Sequence, residues 1–170
     1  MTIRPATLDD LPAIMDIIQY AQRYLAHLNI DQWQDGYPNE AAILNDISNQ
    51  ESFVVLAKNN HIIATFMLST AEEPSYTTID GQWLTDKHSR YGVIHRIAVA
   101  ENATNKGVAK RIISHCEQKL KEQNIIAMRI DTHCDNLGMQ HILRFLGYTY
   151  CGSITLANNE YRLAFEKQLI

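Results

Sequence analysis

Apolar residues recur along this chain with two different periods, and each period predicts its own kind of element. From position 11 to position 25 they follow the spacing of one helical face, which predicts an amphipathic helix over residues 8–26. These residues are Leu11, Ile14, Ile17, Ile18, Ala21 and Leu25. Thr7 and Asp10 precede them with the spacing of a capping box, in which a hydroxyl and a carboxylate bind amides at the start of a helix.

Short apolar runs between turn-forming residues predict the strands. They are expected at residues 2–5, 53–58, 61–69, 93–99, 127–132, 149–156 and 161–166. Asn59-Asn60 and Asn158-Asn159 separate two pairs of runs, and asparagine tolerates the positive φ of a tight hairpin turn. Residues 70–90 have no regular period and are predicted to form a loop or an irregular strand.

Three more helices are predicted between the strands. One begins after Asn39, a favoured capping residue, and the others cover residues 107–120 and 137–146, where Gly147 ends the last. The order β-α-α-β-β-β-α-β-α-β-β places the chain in the α/β or α+β class with a mixed sheet. Residues 93–132 are expected to form a right-handed crossover between parallel strands.

Composition narrows the class of protein. The chain has 170 residues, 46% hydrophobic and 20% charged, and it contains no repeat or linker, so we expect a single domain over residues 1–170. The longest apolar runs are far below the ~20 residues of a membrane span, and no secretory signal is visible, so a cytoplasmic protein that does not bind membranes is expected. A net charge of -4 argues against nucleic acid as the main partner.

Cysteines and histidines give little sign of a metal or disulfide framework. Cys116, Cys134 and Cys151 are odd in number and lack CxxC spacing, which is typical of reduced thiols. Cys134 beside His133 is the one candidate nucleophile, although a bystander thiol is the commoner case. The seven histidines are scattered without metal-binding spacing, so no metal is expected.

The most informative stretch is residues 93–110, VIHRIAVAENATNKGVAK. A predicted strand leads through small residues into a helix, whose first amides have no partner within the helix and therefore attract anions. Gly107 and Ala109 let an anion approach the backbone, and Lys106 and Lys110 add positive charge. The pattern predicts a phosphate- or pyrophosphate-binding turn, although a glycine that merely starts a helix gives the same pattern. GxxxxGK[ST] and GxGxxG are both missing.

IHRIAV followed by GVAKRI resembles the acetyl-CoA signature of the GNAT acetyltransferase superfamily, Gln/Arg-x-x-Gly-x-Gly/Ala. Gly107 and Ala109 match its last two fixed positions. Thr104 stands where Gln or Arg is usual, and Asn105 stands where glycine is common. Both substitutions keep a polar turn.

A second segment is similar to the family pattern Asn-x-x-Ala-x-x-x-Tyr-x-x-x-Gly-Phe. Asn136 and Gly147 match this pattern, and Tyr148 stands where the pattern has Phe. Met139 replaces the small residue. Leu143 stands where many members carry the Tyr that protonates the leaving thiolate, so this chain has no phenol at that position.

The resemblance implies the GNAT fold, a mixed and mostly antiparallel sheet of about six or seven strands flanked by about four helices, with a β-α-β core that binds acetyl-CoA. It implies an N-acetyltransferase that uses acetyl-CoA as the acyl-donor cosubstrate. The acceptor would be a primary amine, on a small molecule or a peptide N-terminus, that attacks the thioester directly without an acyl-enzyme.

The resemblance also assigns residues to the acetyl-CoA site. Ile97, Ala98 and Val99 would line the pantetheine arm, and the amide of Ile97 or Val99 would face the developing oxyanion. The pyrophosphate would lie at Thr104, Asn105, Lys106, Gly107, Val108, Ala109 and Lys110. Asn136 and Leu143 would contact the acyl donor from the second segment.

The amine must lose a proton before it attacks, because an alkylammonium has a pKa of about 10. His95 is the first candidate for the base, since histidine exchanges protons near neutral pH and this one lies on the strand beside the thioester. The alternative is a histidine that is hydrogen-bonded within the sheet. Asp131 and His133 are second choices, and Tyr148 or Tyr150 could replace the missing acid.

The family builds its acceptor pocket from the loop between the first two helices and from the late hairpin. Trp33, Gln34 and Tyr37 lie in that loop, and Glu160 and Arg162 lie in the hairpin. The aromatic residues would form an apolar wall or would anchor the loop to the core. Neither the acceptor nor the choice between monomer and homodimer can be read from the pattern.

Two other functions fit the same residues. One is a non-catalytic acyl-CoA sensor, which would keep the phosphate-binding turn but lack the Tyr that protonates the leaving thiolate. Leu143, at the position of that Tyr, favours this alternative. A nucleotide-binding regulatory domain would only imitate the turn.

Overall fold

The computed structural model describes residues 1–169 and divides into two compact units. The first unit contains Met1–Leu68 and His95–Ile112, and the second contains Ser69–Ile94 and the chain from residue 113 onward. Among the described residues, no helix is both long and apolar enough to cross a membrane.

The described residues form four α-helices and eight strands. The helices are α1 (Leu11–His27), α2 (Glu40–Ser48), α3 (Val108–Glu122) and α4 (Leu137–Phe145). The strands are β1 (Thr2–Pro5), β2 (Ser52–Leu56), β3 (Ile62–Ser69), β4 (Asp80–Gly81), β5 (Tyr91–Val99), β6 (Ala127–Thr132), β7 (Thr149–Thr155) and β8 (Tyr161–Gln168). Three short 3₁₀ turns cover Leu8–Asp10, Pro74–Tyr76 and Glu101–Ala103.

The strands form a mixed sheet in the order β1-β2-β3-β5-β6-β8-β7-β4. β5 and β6 are parallel, as the predicted crossover requires, whereas β1–β2, β2–β3, β4–β7, β6–β8 and β7–β8 are antiparallel. The expected mixed, mostly antiparallel α/β fold is therefore confirmed.

The expected number of six or seven strands was too low, because β4 lies in the segment of residues 70–90. A strand of two residues is too short to show an alternating pattern. It forms because Gly81 and Gly152 face each other so closely that a Cβ on Gly81 would lie 2.2 Å from the Cys151 carbonyl oxygen. Glycine at both positions permits the pairing, and only the fold brings them together.

The core of the first unit is aliphatic. Ile14, Ile17 and Ile18 of α1 are buried against Ile43 of α2 and Val54 of β2. Ala98 of β5 and the partly buried Trp33 join the same cluster. The helical face predicted from the spacing is thus the face that packs.

The core of the second unit contains a cluster rich in aromatic residues. Tyr76 is 2% exposed and packs with Val93, Ile154 and Ala164, and the partly buried rings of Trp83 and Tyr91 lie against them. Tyr76 and Trp83 come from residues 70–90, so this segment is a covering layer rather than a free loop.

Most of the predicted turns and caps are confirmed. Asn60 and Asn159 have φ of 61° and 66°, as the two hairpins require. The Asn39 side chain accepts a hydrogen bond from the Ala42 amide at 3.0 Å and caps α2. Thr7 and Asp10 form the capping box, which begins a 3₁₀ turn one turn ahead of α1.

Asp10 also binds Arg4, which the capping pattern did not reveal. The guanidinium donates from Nη1 and Nη2 to the two carboxylate oxygens at 2.7 and 2.8 Å, and the Thr7 amide donates at 2.8 Å. The hydrogen bonds from Arg4 lower the pKa of Asp10 from 3.8 to about 2, against the opposing influence of burial.

Replacing Asp10 by asparagine is expected to lower the free energy of unfolding by about 1–2 kcal/mol at neutral pH. The folded-state pKa of about 2 lies below the ordinary 3.8, so the stabilisation is present above about pH 4 and is lost as the pH falls through 2. Urea unfolding across that range should show the two proteins converging in acid. Asp9→Asn, at the exposed neighbouring carboxylate, is the control, and equal stability of wild type and D10N at neutral pH would contradict the prediction.

Candidate active site

The turn between β5 and α3 lies in the first unit and has the geometry of an anion site. Asn105 and Gly107 have φ of 59° and 72°, and the first α3 hydrogen bond runs from the Arg111 amide to the Gly107 carbonyl at 3.1 Å. The amides of Val108, Ala109 and Lys110 therefore precede the Arg111 amide, which is the first donor within the helix. Asn105, which replaces a glycine of the family pattern, adopts the left-handed conformation that asparagine tolerates better than most residues.

The surface above the turn is open. A Cβ added to Gly107 would meet no heavy atom within 4 Å, although its positive φ would strain most other residues. Lys106 is exposed, and its Nζ donates to the Asn102 carbonyl at 2.7 Å. Thr104 bonds the Glu101 carbonyl through its hydroxyl at 2.8 Å, so its side chain closes the turn.

The end of β5 lies in the same unit. Ile97 and Val99 are partly buried, and Ala98 lies in the core. The ladder between β5 and β6 joins Tyr91–Val93 to Ala127–Arg129. His95 follows that ladder on β5 and is partly buried.

Arg96, next to His95, was not predicted as a site residue. Its φ is 54°, and its guanidinium donates to both oxygens of Asp46, from Nε at 2.8 Å and from Nη2 at 2.7 Å. Nη1 also bonds the Tyr37 hydroxyl. Burial raises the pKa of Asp46, and Arg96 acts in the opposite direction. These partners are 50 and 59 positions away, so no local pattern signals them.

The loop between α1 and α2, residues 28–39, is held at three of its side chains. Trp33 has φ of 66° and packs against the first core, which favours its interpretation as an anchor. Gln34 donates from Nε2 to the Gln22 and Gln32 carbonyls at 3.1 and 2.9 Å. Tyr37 is 38% exposed and contacts Arg96.

Asp131 lies at the end of β6 in the second unit. Its Oδ1 accepts a hydrogen bond from the Tyr76 hydroxyl at 2.6 Å. Burial first, and the Asp131 charge next, raise the pKa of Tyr76 well above its ordinary value of 10.0, so the phenol keeps its proton. Sequence reasoning missed Tyr76 because it lies in the irregular segment, 55 positions from its partner.

His133, Cys134 and Asp135 follow β6, and their possible ligand atoms lie within 4.8 Å of one another. The His133 Nδ1 accepts a hydrogen bond from the Asp135 amide at 3.2 Å, and the exposed Cys134 thiol is 3.8 Å from the same nitrogen. Their side chains are close to one another because the three residues are consecutive in the sequence.

The second family segment also lies in this unit. The Asn136 side chain caps α4 by accepting from the Met139 amide at 3.1 Å, and Leu143 is fully buried. Tyr148 is 4% exposed, and burial followed by Glu117 raises its pKa well above 10.0, which makes this phenol a weaker acid. Tyr150 is 52% exposed.

The late hairpin holds the other two acceptor candidates. Arg162 is 4% exposed. Its Nη2 donates to the Glu160 carboxylate, and its Nη1 donates to the Tyr161 carbonyl at 3.1 Å. Glu160 and Arg162 are therefore brought together as a pair.

A buried ion pair in the second unit was not predicted at all. Arg129 is 3% exposed and donates from Nε to the fully buried Glu166 at 2.9 Å. Glu166 also accepts hydrogen bonds from the Leu84 and Thr85 amides and from the Thr85 hydroxyl. The Arg129 guanidinium lies 4.2 Å from the ring centre of Trp83 and 3.9 Å from that of Tyr91. This cluster fastens the covering segment to the sheet.

Comparison with known proteins places these features in a family. The model of the acetyltransferase (GNAT) family matches residues 18–148. No curated protein sequence matches significantly. A GNAT-family acetyltransferase structure from Streptococcus agalactiae is 34% identical, with a TM-score of 0.87 over 98% of this chain and 94% of that one.

Two more distant structures share the fold. A ribosomal-protein-alanine N-acetyltransferase from Brucella melitensis is 16% identical, with a TM-score of 0.69 and 99% of both chains covered. A phosphinothricin acetyltransferase from Sinorhizobium meliloti, in complex with AcCoA, is 16% identical, with a TM-score of 0.69 over 98% of this chain and 87% of that one. The family match over most of the chain and the 34% identical structure show that this protein belongs to the GNAT acetyltransferase family.

Proposed function

We propose that this protein moves an acetyl group from acetyl-CoA to a primary amine on a small molecule or a peptide N-terminus. The observation that carries the proposal is the open turn at Gly107, followed by three helix-start amides, in a chain of the GNAT family. An acetyl-CoA pyrophosphate matches that donor set, because amides and the positive end of α3 favour phosphate oxygens. Thr104, Asn105, Lys106 and Lys110 would border it, with Val108 and Ala109 at the helix start.

The β5 backbone would hold the reacting end of the acyl donor. Ile97, Ala98 and Val99 would line the pantetheine arm, and the Ile97 or Val99 amide would stabilise negative charge on the thioester oxygen. The amine nitrogen forms a bond to the carbonyl carbon, and the carbon–sulfur bond then breaks to release CoA thiolate. Leu143 offers no hydroxyl and the Tyr148 phenol is buried, so the thiolate would take its proton from solvent or from the exposed Tyr150.

His95 is the proposed acceptor of the ammonium proton. It adjoins the backbone that would face the thioester, and histidine changes its charge near neutral pH. Asp131, oriented by Tyr76, and His133 are the alternatives in the second unit. Tyr37 and Gln34 of the α1–α2 loop are proposed to contact the acceptor, and Trp33 to anchor that loop in the core of the first unit.

Calorimetric titration with acetyl-CoA tests the donor site. Gly107→Glu puts bulk and negative charge at the turn and is expected to weaken binding by at least about 100-fold, given the typical cost of like charge beside a phosphate. Gly147→Glu is the matched control, because Gly147 also has positive φ and a Cβ added there would likewise meet no heavy atom within 4 Å. Equal binding to wild type and G107E would contradict the proposed site.

Release of CoA in the presence of an amine tests the reaction. Tyramine, spermidine and the dipeptide alanyl-alanine, each at about 1 mM, cover small, polycationic and peptide acceptors within the usual range of KM values. CoA release that requires the amine, in amounts equal to the amide product formed, would support acetyl transfer.

The buried Leu143 favours a second candidate, a non-catalytic acyl-CoA sensor. Such a protein would bind acetyl-CoA in the titration and release no CoA with any of the three amines. Restoration of turnover by Leu143→Tyr would show that the missing acid separates the two functions.

A further inference from the structure

Arg96 has an unusual backbone for a residue within a strand. Its φ of 54° lies in the left-handed region, which is unfavourable for a residue other than glycine. Residues persist in such conformations where the surrounding structure holds them, and these positions cluster at functional sites. Arg96 lies between His95 and Ile97, the proposed base and one of the two proposed oxyanion donors.

The Arg96 side chain is held by a buried carboxylate. Its guanidinium forms a bidentate ion pair with both carboxylate oxygens of Asp46, and the Arg96 and Asp46 side chains are 12% and 4% exposed. The bidentate geometry fixes the guanidinium plane, which a single-point contact would not do. Because breaking this pair would leave Asp46 charged and buried, the Arg96 conformation is strongly favoured.

The same guanidinium reaches the α1–α2 loop. Nη1 bonds the Tyr37 hydroxyl, and the Arg96 Cζ lies 5.9 Å from the centre of the Tyr37 ring. One side chain of β5 thus joins α2, through Asp46, to the loop that carries the proposed acceptor contacts. All of these residues belong to the first unit.

We infer that Arg96 is a positioning residue for acetyl transfer. Locked to Asp46, it sets the β5 backbone between His95 and Ile97, and through Tyr37 it holds the α1–α2 loop in place for the amine. The inference rests on the proposed function, since it presumes that β5 carries the thioester and that the loop faces the acceptor.

Tyr37→Phe removes one hydroxyl and leaves the fold intact. We expect the KM for tyramine, spermidine or alanyl-alanine, whichever is acetylated, to rise about 10-fold or more, as the loss of a hydrogen bond to a charged group implies. The kcat and the acetyl-CoA dissociation constant should stay within about twofold, because β5 and the turn are unchanged. Tyr24→Phe, at an exposed tyrosine of α1, should change none of these values.

Glycine and alanine at position 96 separate the backbone role from the side-chain role. Both variants are made with Asp46→Asn, so that no buried carboxylate is left charged. Glycine adopts positive φ without cost, so R96G should keep a kcat about 5- to 10-fold above that of R96A. The amine KM should rise equally in both, because both lose the bond to Tyr37.

Hydrogen exchange of residues 28–39 gives a readout that needs no substrate. Exchange should be faster in Y37F and in both position-96 variants than in wild type and Y24F. If wild type turns over an amine while Y37F and the position-96 variants show unchanged KM, kcat and exchange, the inference is wrong. If wild type neither binds acetyl-CoA nor releases CoA, the proposed function fails, whereas faster exchange would still support the link through Arg96.

Discussion

Replacing Glu166 by alanine is expected to lower the free energy of unfolding by about 3–5 kcal/mol, the usual cost of removing one partner of a buried ion pair. Glu166 is fully buried, and Arg129, its partner at 2.9 Å, is 3% exposed. The variant leaves this guanidinium charged and the Leu84 and Thr85 amides without their acceptor.

The exposed pair of Lys119 and Glu122 provides the control. The two charged groups are 3.2 Å apart and their side chains are 51% and 50% exposed, so Glu122→Ala should leave the free energy of unfolding nearly unchanged. Urea unfolding followed by circular dichroism measures both variants. Added salt should weaken the exposed pair more than the buried one.

A double variant tests the physical reason. Arg129→Met with Glu166→Leu removes both charges and should be more stable than E166A alone, because the unpaired charge is gone. It should remain less stable than wild type, since the Leu84 and Thr85 amides still lack an acceptor. A loss of less than about 1 kcal/mol in E166A would show that the cluster does not fasten the covering segment.

Replacing His95 by alanine is expected to lower kcat about 100- to 10,000-fold, the range typical of losing a general base. Acetyl-CoA binding should stay unchanged, because the turn at Gly107 and the β5 amides keep their positions. The rate with tyramine, spermidine or alanyl-alanine would then rise with pH until the free amine itself predominates.

His61→Ala provides the control, since His61 is an exposed histidine in the first hairpin. The alternatives His133→Ala and Asp131→Asn are measured beside it. A large loss of kcat in either one, with H95A near wild type, would move the base to the second unit. Activity within about threefold in all four variants would indicate that water accepts the proton directly.

The turn between β5 and α3 is an example of a feature that a local sequence pattern predicts. The small residues after β5, the glycine at position 107 and the helix periodicity are all local, so the sequence predicted the turn and the start of α3 to within a residue. The left-handed conformation of Asn105 was not predicted, although asparagine tolerates it better than most residues. The conformational preference of each residue and the spacing of apolar residues depend only on neighbours in the sequence. The turn and the start of the helix can therefore be predicted.

Local patterns were sufficient to predict the class of fold, the four α-helices, the parallel pair of β5 and β6, and the family signature. Long-range packing was needed to establish β4, the Tyr76–Asp131 bond, the Arg129–Glu166 cluster and the fork of Arg96 onto Asp46. Each of these joins residues tens of positions apart, and a charged or aromatic side chain has the same local pattern whether it is buried with a partner or exposed to water. The free energy that favours burial comes from the partner, so the partner's position must be known before the residue's role can be assigned.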